Sequence, residues 1–261
     1  MNKNYTFDEF REIIATLRGE NGCPWDREQT YHTMESNVIE ESYEVIDACE
    51  SGGMKLADEL GDLLLQVVML AQIASEAGEF SMDDVINCIA EKMIHRHPHV
   101  FGDVKADTAE EVLKNWDKIK REDKKDSSVS RSLMDITKTL PSVLKAHKVQ
   151  SRAAKVGFDW DNTNDVFDKL SEEISELKTA YNNKDEQNIH EELGDVMFSV
   201  INLSRFLKVN PELALNDSTS KFIRRFKKIE EMAISEGKSI EKMSFEEMDA
   251  LWDKVKMAEN G

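Results

Sequence analysis

Leu56-Ala57-Asp58-Glu59-Leu60-Gly61-Asp62-Leu63-Leu64-Leu65-Gln66-Val67-Val68 is the stretch whose reading decides the fold. Leu56, Leu60, Leu63, Leu64, Val67 and Val68 follow the three-and-four spacing of an amphipathic helix, which predicts a long helix with a buried apolar stripe. Ile189, Leu193, Val196, Met197, Val200 and Ile201 repeat those intervals. Both stripes carry the same acidic pair around a glycine, Glu59 with Asp62 and Glu192 with Asp195. The chain therefore reads as an internal repeat.

Working outward, each helix is preceded by another acidic one, Glu40-Glu41-Ser42-Tyr43-Glu44 in the first half and Glu172-Glu173-Ile174-Ser175-Glu176 in the second. The short loops between them predict αα-hairpins. Downstream, Lys92 and Arg96 are matched by Lys221 and Arg225, each pair four residues apart. Thr108 with Glu111, and Ser244 with Glu247, then give capping-box signatures ahead of Trp116 and Trp252. The polar stretch from Arg121 to Ser132 separates the halves, which predicts modules over about 1–125 and 126–261 with a linker near 121–132. Each module is expected to contain four or five helices, with Pro98, Pro141 and Pro211 at helix boundaries. Strand-type alternation is nowhere convincing, so the fold class is all-α.

Composition agrees and narrows the function. The 261 residues include only 4 prolines and 11 glycines, which favours helices over a turn-rich β protein. A formal net charge of −18 argues against an extended nucleic-acid surface. No apolar run is long enough to span a bilayer, the first residues lack a secretory apolar block, and Cys23, Cys49 and Cys88 form no disulfide framework. A cytoplasmic protein with no membrane partner is expected.

Small anionic substrates fit that charge if a cation bridges them to the protein. Residues three apart on a helix share a face, so Glu41 with Glu44 and Glu59 with Asp62 form two pairs that antiparallel packing brings together. Glu173, Glu176, Glu192 and Asp195 repeat the construction. Four converging carboxylates repel one another unless a hard divalent cation, Mg²⁺ or Mn²⁺, neutralises them. Glu40 and Glu172 sit about 100° around their helices and are candidates for an outer ligand or a water-orienting base. An acidic protein also shows such pairs by accident on solvated faces, but recurrence in order beside an apolar stripe argues against accident. A di-iron bundle would need Glu-x-x-His elements, which neither acidic pair supplies.

These paired Glu-Glu-x-x-Glu and Glu-x-x-Asp segments resemble the MazG family of nucleoside triphosphate pyrophosphohydrolases. The resemblance covers nearly the whole chain and extends to Gly22-Cys23-Pro24-Trp25-Asp26, Arg96-His97-Pro98-His99-Val100-Phe101 and Val156-Gly157-Phe158-Asp159-Trp160. It implies two tandem MazG-like modules, each built around a four-helix core, and a homodimer. It further implies Mg²⁺-dependent cleavage of nucleoside triphosphates to monophosphate and pyrophosphate, with broad base tolerance expected. It also implies that Lys120, Lys221, Arg225, Trp252 and Lys256 hold the nucleotide at the second site, with Glu40, Lys92, Arg96 and Trp116 as first-site counterparts. The bland reading of the tryptophans and basic residues is core anchors and solvated helix faces.

Other readings stay open: a nucleotide-binding or sensing module without turnover, a purely structural helical scaffold, or a related pyrophosphohydrolase with a narrower substrate. His95, His97 and His99 recur every second residue, but Pro98 interrupts them and no cysteine is suitably spaced, so they are assigned a structural role. No P-loop, dinucleotide glycine signature or nucleophilic triad appears.

Overall fold

The structure, a computed structural model, describes residues 4–123 and 128–260. The chain divides into two compact units, Met1–Lys125 and Asp126–Gly261. The centre of the expected linker, residues 124–127, lies outside the described residues. Its flanks are helical rather than open coil, because the charged run through Glu122 retains good helix formers. Among the described residues the regular structure is helical throughout, and no helix is long and apolar enough to cross a membrane.

The first unit contains α1 (Phe7–Arg18), α2 (Pro24–Glu28), α3 (Tyr31–Ser51), α4 (Gly53–Glu76), α5 (Met82–Arg96), α6 (Pro98–Phe101) and α7 (Ala109–Glu122). The helix number exceeds the four or five expected because α2 and α6 are short turns started by Pro24 and Pro98, which the apolar periodicity does not register. The long helices α3 and α4 form the hairpin. Gly52 reverses the chain between them at φ 61°, a conformation that a side chain disfavours. The core gathers Ile14, Met34, Val68 and Met69, with Phe7, Phe10, Leu65 and Ile73 packed on it, at one end of the hairpin. Arg18 ties this end together, pairing with Glu76 at 2.8 Å and donating to the Gln29 carbonyl at 3.2 Å.

The second unit contains α8 (Val129–Met134), α9 (Ser142–Ala154), α10 (Thr163–Asn183), α11 (Glu186–Phe206), α12 (Pro211–Ser235), a 3₁₀ turn (Ile240–Lys242) and α13 (Phe245–Asn260). Here α10 and α11 form the hairpin. Lys184 in the left-handed region and the N-cap Asp185 make its turn. A separate cluster of Ile229, Ala233, Leu251 and Val255 joins α12 to α13. Ser244 and Glu247 form the expected capping box ahead of Trp252. At Thr108 only half of it forms: the hydroxyl accepts from the Glu111 N–H, while the Glu111 carboxylate accepts from the N–H of Asp107.

The apolar stripes differ from expectation in one respect. Val68 and Ile201 are buried, but Leu60, Leu64 and Val67 on α4, and Leu193, Met197 and Val200 on α11, are exposed. Each helix carries more apolar surface than one hairpin partner covers.

Candidate functional site

In each unit the hairpin brings acids from two helices to one place. One ligand oxygen each from Glu41 on α3 and from Glu59 and Asp62 on α4 lie within 4.8 Å of one another, and Glu173 on α10 with Glu192 and Asp195 on α11 repeat that geometry. Glu44 and Glu176, expected as fourth ligands, fall outside these close triplets. Residues three apart are displaced about 60° around a helix, so when Glu41 or Glu173 faces the partner helix its neighbour stands at the rim. Glu173 is buried, whereas Glu172 and Glu176 are exposed. Glu40 and Glu44 are likewise exposed.

The electrostatics show what the clusters lack. Glu41 is pushed above the ordinary carboxylate range by partial removal from water and by the negative charges of Asp62, Glu44, Glu40 and Glu59. Glu59 is raised by desolvation and by Glu44, with which it shares a hydrogen bond. Glu192 is raised by desolvation and then by Glu176, Glu173 and Asp195. Oxygen-only donors under mutual repulsion match a hard divalent cation, so the residues present fit such an ion. Neither close triplet includes a histidine. His97 instead meets the Met93 carbonyl through Nδ1 at 2.6 Å and lies against Trp116, with ring centroids 5.6 Å apart.

The units differ around these clusters. In the first, buried Gln66 donates from Nε2 to Glu41 Oε1 at 3.3 Å. In the register of the repeated stripes Gln66 corresponds to Ser199, which lines a cavity of about 580 Å³ in the second unit. That cavity reaches the acidic cluster, since Glu173 and Asp195 are in its wall. Lys169, also in the wall, pairs with Glu172 at 2.7 Å and Glu173 at 2.8 Å. These two carboxylates raise its pKa further above the usual lysine value. Arg205 pairs with Asp159 at 2.8 Å and stands over the Phe206 ring, fixing the segment before α10 against α11.

The residues expected to hold the nucleotide are distributed differently. Arg225 on α12 pairs with Glu259 at 2.8 Å, and its guanidinium lies 5.7 Å from the Trp252 ring. Arg225 and Lys228 together hold the Glu259 carboxyl down at about 2. Trp252 packs on the α12–α13 core and beside Phe222. Lys221 and Lys256 are exposed on α12 and α13. None of Lys221, Arg225, Trp252 and Lys256 lines the cavity. Lys120 is exposed on α7 of the first unit, so the second unit's own fold does not bring it to the cavity. Of the first-unit counterparts, Lys92 is exposed, Arg96 pairs with Asp123 at 3.3 Å and Trp116 is half-buried.

Sequence reasoning missed Lys169, Gln150 and Asn202 as parts of the site. Lys169 had a legible signal, because it precedes Glu172 and Glu173 by three and four residues on one helix. Gln150 on α9 and Asn202 on α11 had none, since only tertiary packing places them at one cavity.

Fold and site define an all-α protein with a duplicated helical hairpin, each copy presenting a carboxylate cluster built for a divalent cation. The profile of the MazG nucleotide pyrophosphohydrolase domain matches residues 29–101 and 162–230. The chain is 44% identical over 251 residues to the nucleoside triphosphate pyrophosphohydrolase/pyrophosphatase MazG of Thermotoga maritima, covering 96% of this chain and 95% of that protein. It is 41% identical over 256 residues to the nucleoside triphosphate pyrophosphohydrolase of Escherichia coli K12, covering 97% of each. It is also 46% identical over 257 residues to the uncharacterized protein YabN of Bacillus subtilis, covering 98% of this chain and 52% of that one. The chain belongs to the MazG nucleotide pyrophosphohydrolase family.

Proposed function

We propose that this chain hydrolyses nucleoside triphosphates to nucleoside monophosphate and pyrophosphate, with Mg²⁺ as its cation and with tolerance of different bases. The observation that carries this reading is the convergence of Glu173, Glu192 and Asp195, the first and last of them in the wall of a cavity, in a chain of this family. These three residues hold the ion, with Glu176 at the rim. When bound, a hard divalent cation supplies the positive charge that offsets the triphosphate and the charge growing on the departing pyrophosphate. Glu172, exposed beside the cluster, takes the proton of the attacking water. The water oxygen bonds to phosphorus as the anhydride between the α- and β-phosphates breaks. Lys169 in the cavity wall, together with Lys221 and Arg225 on α12 and Lys256 on α13, neutralises phosphate oxygens. Arg225 exchanges Glu259 for phosphate in doing so.

The first-unit cluster of Glu41, Glu59 and Asp62 is assigned cation binding, with Gln66 releasing Glu41 to the ion. The exposed apolar stripes of α4 and α11 support a homodimer in which a second copy covers them. The acidic charge supports a protein without extended nucleic-acid partners, and the three free cysteines support work in a reducing compartment, the cytoplasm.

The test is to incubate the full chain with a panel of nucleoside triphosphates and Mg²⁺ and to identify both products. Monophosphate with pyrophosphate is expected. Diphosphate with orthophosphate would overturn the reaction, and nucleotide affinity without turnover would make the chain a binding module.

A further inference from the structure

Arg225, a cation assigned to phosphate, is already engaged by an acid of its own chain. Its Nε donates to Glu259 Oε2 at 2.8 Å, and Lys228 Nζ donates to Oε1 of the same carboxylate at 3.0 Å. Arg224 Nε stands 3.5 Å from Oε1. The pair is well shielded, the Glu259 side chain being 16% exposed and that of Arg225 15%. One carboxylate on the last turn of α13 therefore faces three cations of α12, and Arg225 and Lys228 keep it ionised down to about pH 2.

Two observations separate this contact from an ordinary tie between helices. The helices α12 and α13 are already joined by buried Ile229, Ala233, Leu251 and Val255, so their docking does not depend on an ion pair. The contact also follows the internal repeat. Glu259 lies seven residues after Trp252, and Asp123 lies seven residues after Trp116. Asp123 pairs with Arg96, the first-unit counterpart of Arg225, at 3.3 Å. Each unit thus sets an acid on the arginine of its basic pair. The need for one is plain in the second unit, where Lys221, Arg224, Arg225, Lys227 and Lys228 follow one another on α12 with no acid between them. Such a face, left without a counter-charge, would retain any polyphosphate, product included.

We infer that Glu259 is an internal counter-anion of the second unit, which competes with polyphosphate for Arg225 and Lys228 and so limits how tightly substrate and pyrophosphate are held. This rests on the nucleoside triphosphate reading above. A carboxylate and a phosphate accept from the same donors, so each bond the ligand gains here is one that Glu259 gives up. Ground-state affinity falls without any change at the metal cluster, and the product leaves sooner.

The test uses the full chain and two variants, Glu259→Gln, which keeps the shape and removes the charge, and Glu259→Asp, which keeps the charge. The Asp123–Arg96 pair shows that an aspartate reaches the equivalent arginine. Helicity and melting are followed by circular dichroism, and inorganic tripolyphosphate and pyrophosphate are titrated at fixed Mg²⁺. Glu259→Gln is expected to tighten binding of both by roughly 3–10-fold, the range of a partly shielded charge-assisted hydrogen bond. Glu259→Asp should stay within about 2-fold of the wild type, since the competing charge remains. KM for nucleoside triphosphates should fall with Glu259→Gln while kcat does not rise. A merely structural tie gives the opposite sign, a lower melting temperature with unchanged or weaker binding, and that result overturns the inference. Failure of both variants to fold overturns it as well. Arg225→Ala separates this inference from the reading beneath it. Unchanged tripolyphosphate affinity in that variant removes the phosphate role of Arg225 and the inference together, whereas a loss there with no gain in Glu259→Gln refutes only the counter-anion. A wild-type chain that releases no pyrophosphate from any triphosphate refutes the proposed reaction, and the tripolyphosphate titration still decides the role of Glu259.

Discussion

Replacing Arg205 by Met should destabilise the second unit and loosen the cavity wall together. The guanidinium pairs with Asp159 through two nitrogens, donates twice to Asn202 and covers the Phe206 ring. Its side chain is 17% exposed and that of Asp159 26%. Breaking a fully buried pair costs about 3–5 kcal/mol and an exposed one about 0.2–1, so this half-shielded pair is placed near 2 kcal/mol. For a unit of this size that corresponds to roughly 6–10 °C in melting temperature. Arg205 is also the main reason Asp159 titrates below the usual carboxylate range. Its folded pKa is lowered from 3.8, so this stabilisation is present above about pH 4 and is lost as pH falls through the folded value. Calorimetry of the full chain, the Arg205→Met and Asp159→Asn variants and the double variant gives the cycle. A coupling of about 1–2 kcal/mol is expected, with the acid-range loss absent from Arg205→Met. Additive effects, or a melting shift within about 1 °C, would refute the assignment of this pair as the tie between the α10 approach and α11.

Glu192→Gln should abolish pyrophosphate release and the part of Mg²⁺-induced thermal stabilisation due to the second unit; a variant retaining both would remove the cluster from consideration. Because Glu41, Glu59 and Glu192 are raised from 4.5, the metal-free chain should lose stability from these groups as pH rises from that value through their folded pKa values, and saturating Mg²⁺ should offset the loss above it. Melting curves across pH with chelator and with Mg²⁺ check the sign, and a metal-free chain unaffected by that rise would contradict it. Lys221→Ala and Arg225→Ala should weaken binding of a slowly hydrolysed triphosphate analogue while sparing Mg²⁺ affinity; unchanged analogue affinity would make them ordinary surface residues. Gly194→Ala should stabilise a lone chain by about 0.5–1 kcal/mol, since an added Cβ meets nothing within 4 Å. Destabilisation instead would reveal a second copy against that face, readable by calorimetry over a concentration series.

The hairpins were legible because their information is local. A three-residue acidic spacing beside an apolar stripe is a property of one helix, and its recurrence reports duplication without any knowledge of packing. The close triplets refine this, since Glu44 and Glu176 share the pattern of Glu41 and Glu173 but stand exposed outside the closest grouping. The exposed halves of the stripes could not be foreseen, because periodicity records which residues are apolar and not how many partners cover them. The cavity was least legible. Gln150, Phe158, Trp160 and Asn202 come from separate segments, and nothing in their local spacing distinguishes Gln150 from any polar residue on an amphipathic helix.

Lys169 bears on how readily the second site fills. Its ammonium group sits on Glu173, so a cation bound there must displace it, whereas the corresponding position of the first unit is Asn37, which bears no charge. The second cluster therefore gives up an ion pair for its cation where the first gives up a hydrogen bond from Gln66. The duplicated centres, alike in their ligands, would then differ in affinity before they differ in chemistry, with the unit that holds the cavity the weaker for its ion.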